Sequence, residues 1–167
     1  NPATGAILGY SELTPVAELK NIVERARSAQ ESWSRLSLRQ RKTYLKRVRR
    51  YLADHAEEIA EMISKDNGKV RIDAMAGEVL PANMAISYYM RKTRQFLKPV
   101  KCGTGNLMLA NKRSRILRVP FGVIGIISPW NYPFAIPFSE VVMALLSGNV
   151  VVLKTASETQ MVGRKLE

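Results

Sequence analysis

The stretch GVIGIISPWNYPF, from Gly122 to Phe134, decides the fold of this chain. Its first part, GVIGIIS (Gly122 to Ser128), is short, apolar and β-branched, which predicts a fully buried parallel strand. NVVVLK, from Asn149 to Lys154, has the same character, and the residues from about Pro137 to Ser147 have helical spacing, with Gly148 placed to cap that helix. Strand, helix and strand in this order predict one βαβ unit.

One βαβ unit supplies only two parallel strands, and such a pair needs neighbours and cover on both faces. We therefore expect an α/β fold whose parallel sheet is incomplete in this chain. The next helix is expected to begin near MVGRKLE, Met161 to Glu167.

The first half of the chain is predicted to be helical. Thr14-Pro15 is typical of an N-cap followed by Pro at the first helical position. A second helix begins with the capping box SLRQ at Ser37 and ends at Asn67-Gly68, where Gly suits a left-handed residue. A third helical region runs from about Ile72 to Phe96, and Pro81 is expected to kink or divide it.

After Lys98-Pro99, polar and apolar residues alternate instead of recurring at helical spacing. NLMLANKRSRILRVP predicts one strand from Asn106 to Ala110 and another from Arg113 to Val119. Asn111-Lys112 is expected to form the hairpin turn between them.

Composition excludes several classes of protein. The chain is 46% apolar, enough for a core in 167 residues. No apolar run approaches the ~20 residues of a membrane span, and the N-terminus shows no signal-peptide pattern. Cys102 and His55 are the single cysteine and histidine, which excludes an internal disulfide framework and argues against a metal site. The lone thiol fits a reducing cytoplasm.

The net charge of +12 raises the alternative of a polyanion partner. Basic residues are concentrated on the second predicted helix, so a nucleic-acid-binding module is one alternative. The basic residues are Arg39, Arg41, Lys42, Lys46, Arg47, Arg49 and Arg50. The apolar stripe of that helix is intact, and its basic residues spread over the remaining surface, as on a solvated helix face. A solvated basic face is therefore favoured, and we expect no nucleic-acid partner.

The residues that follow the two predicted strands are candidates for chemistry, because ligands of open α/β sheets bind beyond the carboxyl ends of the strands. Asn131 follows the first strand and Lys154 ends the second, so both are expected at one edge. A primary amide can donate hydrogen bonds to a developing oxyanion, and a lysine can hold ribose hydroxyls or a phosphate. The structural alternatives are an Asx-type turn for Asn131 and a solvated strand end for Lys154.

Two of these segments resemble the aldehyde dehydrogenase superfamily. PFGVIGIISPWNYPF, Pro120 to Phe134, is similar to the first Rossmann-type strand and loop of that family, and SGNVVVLK, Ser147 to Lys154, is similar to its second strand. NPATG, Asn1 to Gly5, and the helix end Asn67-Gly68-Lys69 resemble the N-terminal segment of the family. The resemblance spans essentially the whole chain and about the first third of a family member.

The resemblance implies a division of the chain into three parts. Residues 1–100 would form the helical part of the cofactor-binding domain, and residues 101–119 a bridging hairpin that pairs with another subunit of a homo-oligomer. Residues 120–167 would form the first βαβ unit of a Rossmann-like domain. The implied fold is thus N-terminal helices, a bridging β-hairpin and an incomplete Rossmann-like parallel sheet.

The resemblance also implies an activity, the oxidation of an aldehyde to a carboxylic acid with NAD or NADP through a cysteine thiohemiacetal and a glutamate-activated water. Asn131 matches the oxyanion-stabilising amide of the family, and Tyr132 matches an aromatic position in the substrate tunnel. The implied cofactor-binding residues are Ser128, Pro129, Trp130, Lys154 and Ser157. The family's nucleophile and base would lie beyond Glu167, and Cys102 does not match that cysteine. We therefore expect the 167-residue chain alone to be inactive, and a non-catalytic scaffold derived from the family is a second alternative.

Three residues depart from the family pattern. Ser157 stands where many members have a glutamate that binds the ribose hydroxyls, and Thr155 replaces a usual proline. Glu140 stands where many members have a lysine. A serine brings no negative charge to repel a 2′-phosphate, so we expect the complete enzyme to accept NADP as well as NAD. A one-residue slip in the matching would put Glu158 at that position and reverse the argument.

Overall fold

The computed structural model describes residues 1–103, 105–106, 108 and 111–167. A short 3₁₀ turn, Val16–Glu18, leads into the first helix, and the prediction that Pro15 is the first helical residue is wrong, because its φ of −60° and ψ of 140° are extended. The helices are α1 (Leu19–Arg35), α2 (Leu38–Asp54), α3 (Ala56–Asn67), α4 (Arg71–Ala74), α5 (Leu80–Phe96), α6 (Ala135–Leu146) and α7 (Gln160–Leu166). The strands are β1 (Val100–Cys102), β2 (Ser114–Ile116), β3 (Val123–Ile127) and β4 (Val150–Lys154).

The predicted βαβ unit is confirmed, but the prediction that its first strand is fully buried is wrong, since Ile126 is the buried residue of β3 and Ile127 is 81% exposed. Strands β3 and β4 are parallel, in a register that runs from Val123 opposite Val150 to Ile127 opposite Lys154. Helix α6 connects them and is followed by Gly148 at φ +92°, the left-handed conformation that glycine adopts without strain.

One apolar core joins the helical half of the chain to the βαβ unit. It takes Leu45 and Leu52 from α2, Ile63 from α3, Ile86 from α5 and Val142 from α6, among others. The helices and the βαβ unit therefore bury their apolar faces against each other. No helix among the described residues combines the length and the apolar character that crossing a membrane requires.

The prediction of a single helix from Ser37 to Asn67 is wrong. The capping box at Ser37 and the left-handed Gly68 (φ +86°) are both present, but the helix is interrupted at His55, whose φ of −112° and ψ of 19° are not helical. The imidazole stacks on the ring of Tyr51 at 4.0 Å, and Nδ1 lies 2.9 Å from the Tyr51 carbonyl oxygen. These local contacts accompany the break.

Pro81 distorts the third helical region as expected. Residues Met75–Val79 form a single π turn between α4 and α5. Pro81 has no N–H to donate to the carbonyl of Gly77, and a wider turn accommodates the missing bond. The π turn also carries Glu78, which is fully buried.

The antiparallel pair differs in part from the predicted hairpin. Ser114–Ile116 lies within the predicted second strand, but it pairs with Val100–Cys102, a segment that alternation did not indicate. The predicted first strand, Asn106 to Ala110, includes Leu107, Leu109 and Ala110, which lie outside the described residues. All three residues of β2 are exposed, so burial of one face does not select its partner or register.

Candidate functional site

The carboxyl ends of β3 and β4 meet at one edge, as the sequence predicts. The backbone N–H of Ser128 donates to the carbonyl of Lys154 over 2.9 Å, which continues the parallel ladder by one bond. The loop from Ser128 to Phe134 and the loop from Thr155 to Thr159 therefore leave the sheet together. Ser128 is buried and Pro129 half-buried, whereas Lys154 is exposed.

The amide of Asn131 is oriented by its own backbone. The N–H of Tyr132 donates to Asn131 Oδ1 over 3.1 Å. A backbone N–H can only donate, so the accepting atom is the oxygen and the NH₂ group occupies the other side of the amide. Asn131 is exposed, and its Nδ2 makes no hydrogen bond within the described part of the chain. Asn131 therefore makes a turn contact through Oδ1 and still has Nδ2 available as a donor.

The Asn131 loop is also held from the helical half of the chain. Asn67 Nδ2 donates to the carbonyl of Trp130 over 2.7 Å. Lys69 Nζ donates to the carbonyl of Asn131 over 2.5 Å and lies 4.1 Å from the centre of the Tyr132 ring. Left-handed Gly68 separates these two donors, and its Cα lies against Pro2.

Glu78 connects Lys69 to the start of α6. Its side chain is 0% exposed, and Oε1 accepts from Lys69 Nζ over 2.5 Å. Oε2 accepts from the N–H groups of Phe134 and Ala135 over 2.8 and 3.2 Å. A carboxylate satisfies free N–H groups at a helix N-terminus and complements its dipole.

The opposite end of α6 is bound by side chains that donate. Trp33 Nε1 donates to the Leu145 carbonyl over 3.0 Å, and Gln30 Nε2 donates to the Gly148 carbonyl over 3.2 Å. Arg41 is 8% exposed, and its Nη1 is the atom closest to where a Cβ on Gly148 would stand. Burial lowers the pKa of Arg41. A cation at this end complements the helix dipole.

Arg41 therefore does not belong to a solvated basic face, which corrects that part of the sequence interpretation. The other members of the cluster fit the interpretation better. Lys42 is half-buried, and the remaining five are exposed: Arg39, Lys46, Arg47, Arg49 and Arg50.

The loop after β4 presents exposed side chains. Ser157 and Glu158 are both exposed, and Ala156 between them and the strand is buried. The side chain of Thr155 fills the space beside Gly163 of α7. Asp66 Oδ2 accepts from the N–H of Val162 over 2.9 Å, so the residue before Asn67 caps α7.

The other sequence candidates lie as follows. Trp130 is 59% exposed and Tyr132 is also exposed, so both rings are accessible at the sheet edge. Cys102 is half-buried in β1, which is distant from this edge in sequence, and its Sγ lies 4.0 Å from the carbonyl oxygen of Val100. No group of three potential metal ligands occurs in the described residues.

Sequence reasoning missed three residues that hold the site: Asn67, Lys69 and Glu78. The first two lie in the NGK helix end that the resemblance to the family singled out, although without a role. Glu78 gave no signal, since an acidic residue in a charged helical region is usually a solvated one.

Comparison with known proteins shows which protein family the chain is similar to. A sequence model described as the aldehyde dehydrogenase family matches residues 1–167. The 4,4'-diapolycopene aldehyde oxidase of a Methylomonas species is 31% identical over 164 residues, covering 98% of this chain and 31% of that protein.

Two solved structures share the fold. Succinic semialdehyde dehydrogenase from Streptococcus pyogenes, in complex with NADP+, is 27% identical with a TM-score of 0.85 over 95% of this chain and 34% of that one. An NAD-dependent benzaldehyde dehydrogenase from Corynebacterium glutamicum is 29% identical with a TM-score of 0.83 over 96% of this chain and 34% of that one. The chain thus spans about a third of the length of these relatives. The chain belongs to the aldehyde dehydrogenase family.

Proposed function

We propose that this chain is the part of an NAD(P)-dependent aldehyde dehydrogenase that supplies the oxyanion-stabilising amide and part of the cofactor site. The observation that carries the proposal is the exposed Asn131 amide, oriented by Tyr132 N–H, at the sheet edge where Lys154 emerges. The relatives that oxidise aldehydes with NAD or NADP support it.

The chemistry of the exposed side chains fits a dinucleotide. The ammonium of Lys154 suits ribose hydroxyls or a 2′-phosphate, and the hydroxyl of Ser157 can hydrogen-bond to either. The nicotinamide, when bound, supplies the hydride acceptor. In this proposal Ser128, Pro129 and Trp130 line the cofactor, largely through backbone.

Asn131 contributes to the reaction by donating from Nδ2 to the substrate oxygen as negative charge develops there. Because Oδ1 is already bonded to Tyr132 N–H, the amide requires little reorganisation when the charge appears. The ring of Tyr132 would contact the hydrocarbon part of the aldehyde substrate. The nucleophilic cysteine and general base would come from other parts of the full-length protein.

The proposal is tested by assaying the full-length protein for aldehyde-dependent reduction of NAD+ and NADP+ with short and medium aldehydes. We expect turnover with at least one aldehyde. The absence of turnover would favour a non-catalytic scaffold of the same family. The purified 167-residue chain should be inactive, and turnover of that chain that disappears in Cys102→Ala would contradict the assignment of Cys102.

We also propose that the β1–β2 pair contacts another copy of the protein. Its support is an exposed antiparallel pair with apolar side chains in the open, such as Ile116 and the following Leu117. Sedimentation of the full-length protein tests this, and a monomer would contradict it.

A further inference from the structure

The residue that bears the proposed oxyanion donor also accepts a hydrogen bond from a charged side chain at its backbone carbonyl. Lys69 Nζ donates to the Asn131 carbonyl over 2.5 Å, and a hydrogen bond from a charged donor is about twice as strong as a neutral one. We infer that Lys69, fixed by Glu78, is a positioning residue that sets the place of the Asn131 amide. This inference rests on the proposed function.

Lys69 is itself fixed on three sides. Its ammonium bonds Glu78 Oε1 and the Asn131 carbonyl, and it lies over the ring of Tyr132. Its side chain is only 21% exposed, against 51% for the nearby Lys65. A lysine loses much rotamer freedom when it is held in this way, so the arrangement specifies one location for the ammonium.

Glu78 cannot shift independently, because its second oxygen accepts from the N–H groups of Phe134 and Ala135. Lys69 and Glu78 thus bracket Asn131 from both sides, through its own carbonyl and through the residues that start α6. Asn131 Oδ1 accepts from the next N–H within this bracketed segment. A shift of the backbone at Asn131 would therefore move its side-chain amide as well.

Precise placement matters for a donor of this type. A misplacement of about 1 Å in a catalytic group can lower the rate about a hundred-fold. A bond that only stabilised the fold would instead affect cofactor binding, turnover and unfolding together. The inference therefore predicts a selective loss of turnover when Lys69 loses its charge.

The first arm of the test compares Lys69→Met with Lys65→Met in the full-length protein. Lys65 is a matched control, since it is also ion-paired, with Glu61 at 2.6 Å, and it does not bond the Asn131 loop. We expect Lys69→Met to lower kcat between about ten- and a hundred-fold while the KM for the nicotinamide cofactor stays within about two-fold. Lys65→Met should leave both unchanged. An unchanged kcat in Lys69→Met would overturn the inference.

The second arm asks whether Lys69 acts through Asn131. In an Asn131→Ala background the donor is absent, so adding Lys69→Met should lower kcat by no more than about two-fold. An equal fractional loss in the wild-type and Asn131→Ala backgrounds would overturn the inference, because it would mean that Lys69 acts by another route.

The third arm does not depend on activity. Hydrogen exchange in the peptide that spans residues 130–136 should be about ten-fold faster in Lys69→Met, as expected for the loss of one hydrogen bond to a charged group. Exchange in α5 should not change. If the full-length protein oxidises no aldehyde, the proposed function fails, and this arm still decides whether Lys69 holds the loop. Unchanged exchange would overturn the inference even in an active enzyme.

Lys69→Met leaves the buried carboxylate of Glu78 without its cation, which can prevent folding. Lys69→Met combined with Glu78→Gln removes both charges and keeps an amide oxygen for the N–H groups of Phe134 and Ala135. The same losses of kcat and of exchange protection are expected in this double variant. Wild-type values of both quantities would overturn the inference.

Discussion

The loop after β3 and the loop after β4 leave the same sheet edge, yet they are held in different ways. The first is held through its backbone by residues from the helical half of the chain, Asn67, Lys69 and Glu78. The second is held mostly by local contacts, such as Gln160 Nε2 donating to the Ala156 carbonyl over 3.1 Å. Its tip, Ser157 with Glu158, is exposed.

The difference indicates how the two loops can serve different purposes. A group that must meet a developing charge needs a fixed position, and distant backbone contacts supply it. Side chains that select between related cofactors need only the right charge, and residues at an exposed loop tip can be substituted with little effect on the stability of the fold. We therefore expect substitutions around the first loop to be costly and substitutions at the second to change preference.

Glu78→Ala should have the largest effect, because it removes a buried carboxylate that serves both Lys69 and two N–H groups of α6. Breaking a buried pair of this kind costs about 3 kcal/mol, measured as the change in the free energy of unfolding with denaturant. Glu78→Gln keeps an acceptor for Phe134 and Ala135 and should cost less. Equal losses in the two variants would mean that the helix N–H groups contribute nothing.

Asn131→Ala should cut turnover in the full-length protein by about a hundred-fold, the usual cost of one oxyanion donor. The KM for the cofactor should change little, since the backbone contacts with Asn67 and Lys69 remain. Steady-state kinetics with saturating aldehyde measure this. Turnover equal to that of the wild type would mean that Asn131 serves only as a turn residue.

Ser157→Glu should shift the preference of the full-length protein toward NAD. A carboxylate at the ribose would repel a 2′-phosphate, and like charges a few ångströms apart near water cost about 1 kcal/mol, or about five- to ten-fold in kcat/KM. The ratio of kcat/KM for the two cofactors measures the shift. Glu158→Gln is the matched control: a change in the ratio there, with none in Ser157→Glu, would place Glu158 at the ribose.

Asp66→Ala should cost about 1 kcal/mol of unfolding free energy, the usual cost of losing a helix-capping acceptor. Asp66 accepts from Val162 N–H in the first turn of α7. Asp66→Asn retains an oxygen and should be nearly neutral. A large fall in turnover in Asp66→Ala would instead mean that this contact also positions the loop after β4.

Glu58→Gln should have the smallest effect, because the Glu58 carboxylate of the pair with Lys165 is solvent-exposed. The side-chain hydrogen bond from Lys165 lowers the pKa of Glu58. A carboxyl with a lowered folded pKa contributes stability above its unfolded pKa of about 4.3, and that contribution is lost as pH falls through the folded value. The small difference between wild type and Glu58→Gln at neutral pH should therefore disappear in acid. A difference that grows in acid would contradict this.

Local patterns were sufficient to predict much of the fold. The βαβ unit from Gly122 to Lys154, the capping box at Ser37 and the left-handed residues Gly68 and Gly148 are all present. Each depends on residues close together in sequence, where periodicity and turn chemistry act directly. The break at His55 was missed because the apolar stripe continues across it, at Leu52 and Ile59.

The arrangement of the candidate site required the tertiary structure. Sequence alone selected Asn131 and Lys154, because they lie at the carboxyl ends of two apolar parallel strands whose ends must share an edge. It could not show that Lys69 and Glu78 hold that edge, since the bonded residues lie 62 and 56 positions apart in the chain. Contacts over such distances leave no periodic signal, and a buried carboxylate looks in sequence like a solvated one. Only packing of the helices against the βαβ unit brings these groups together.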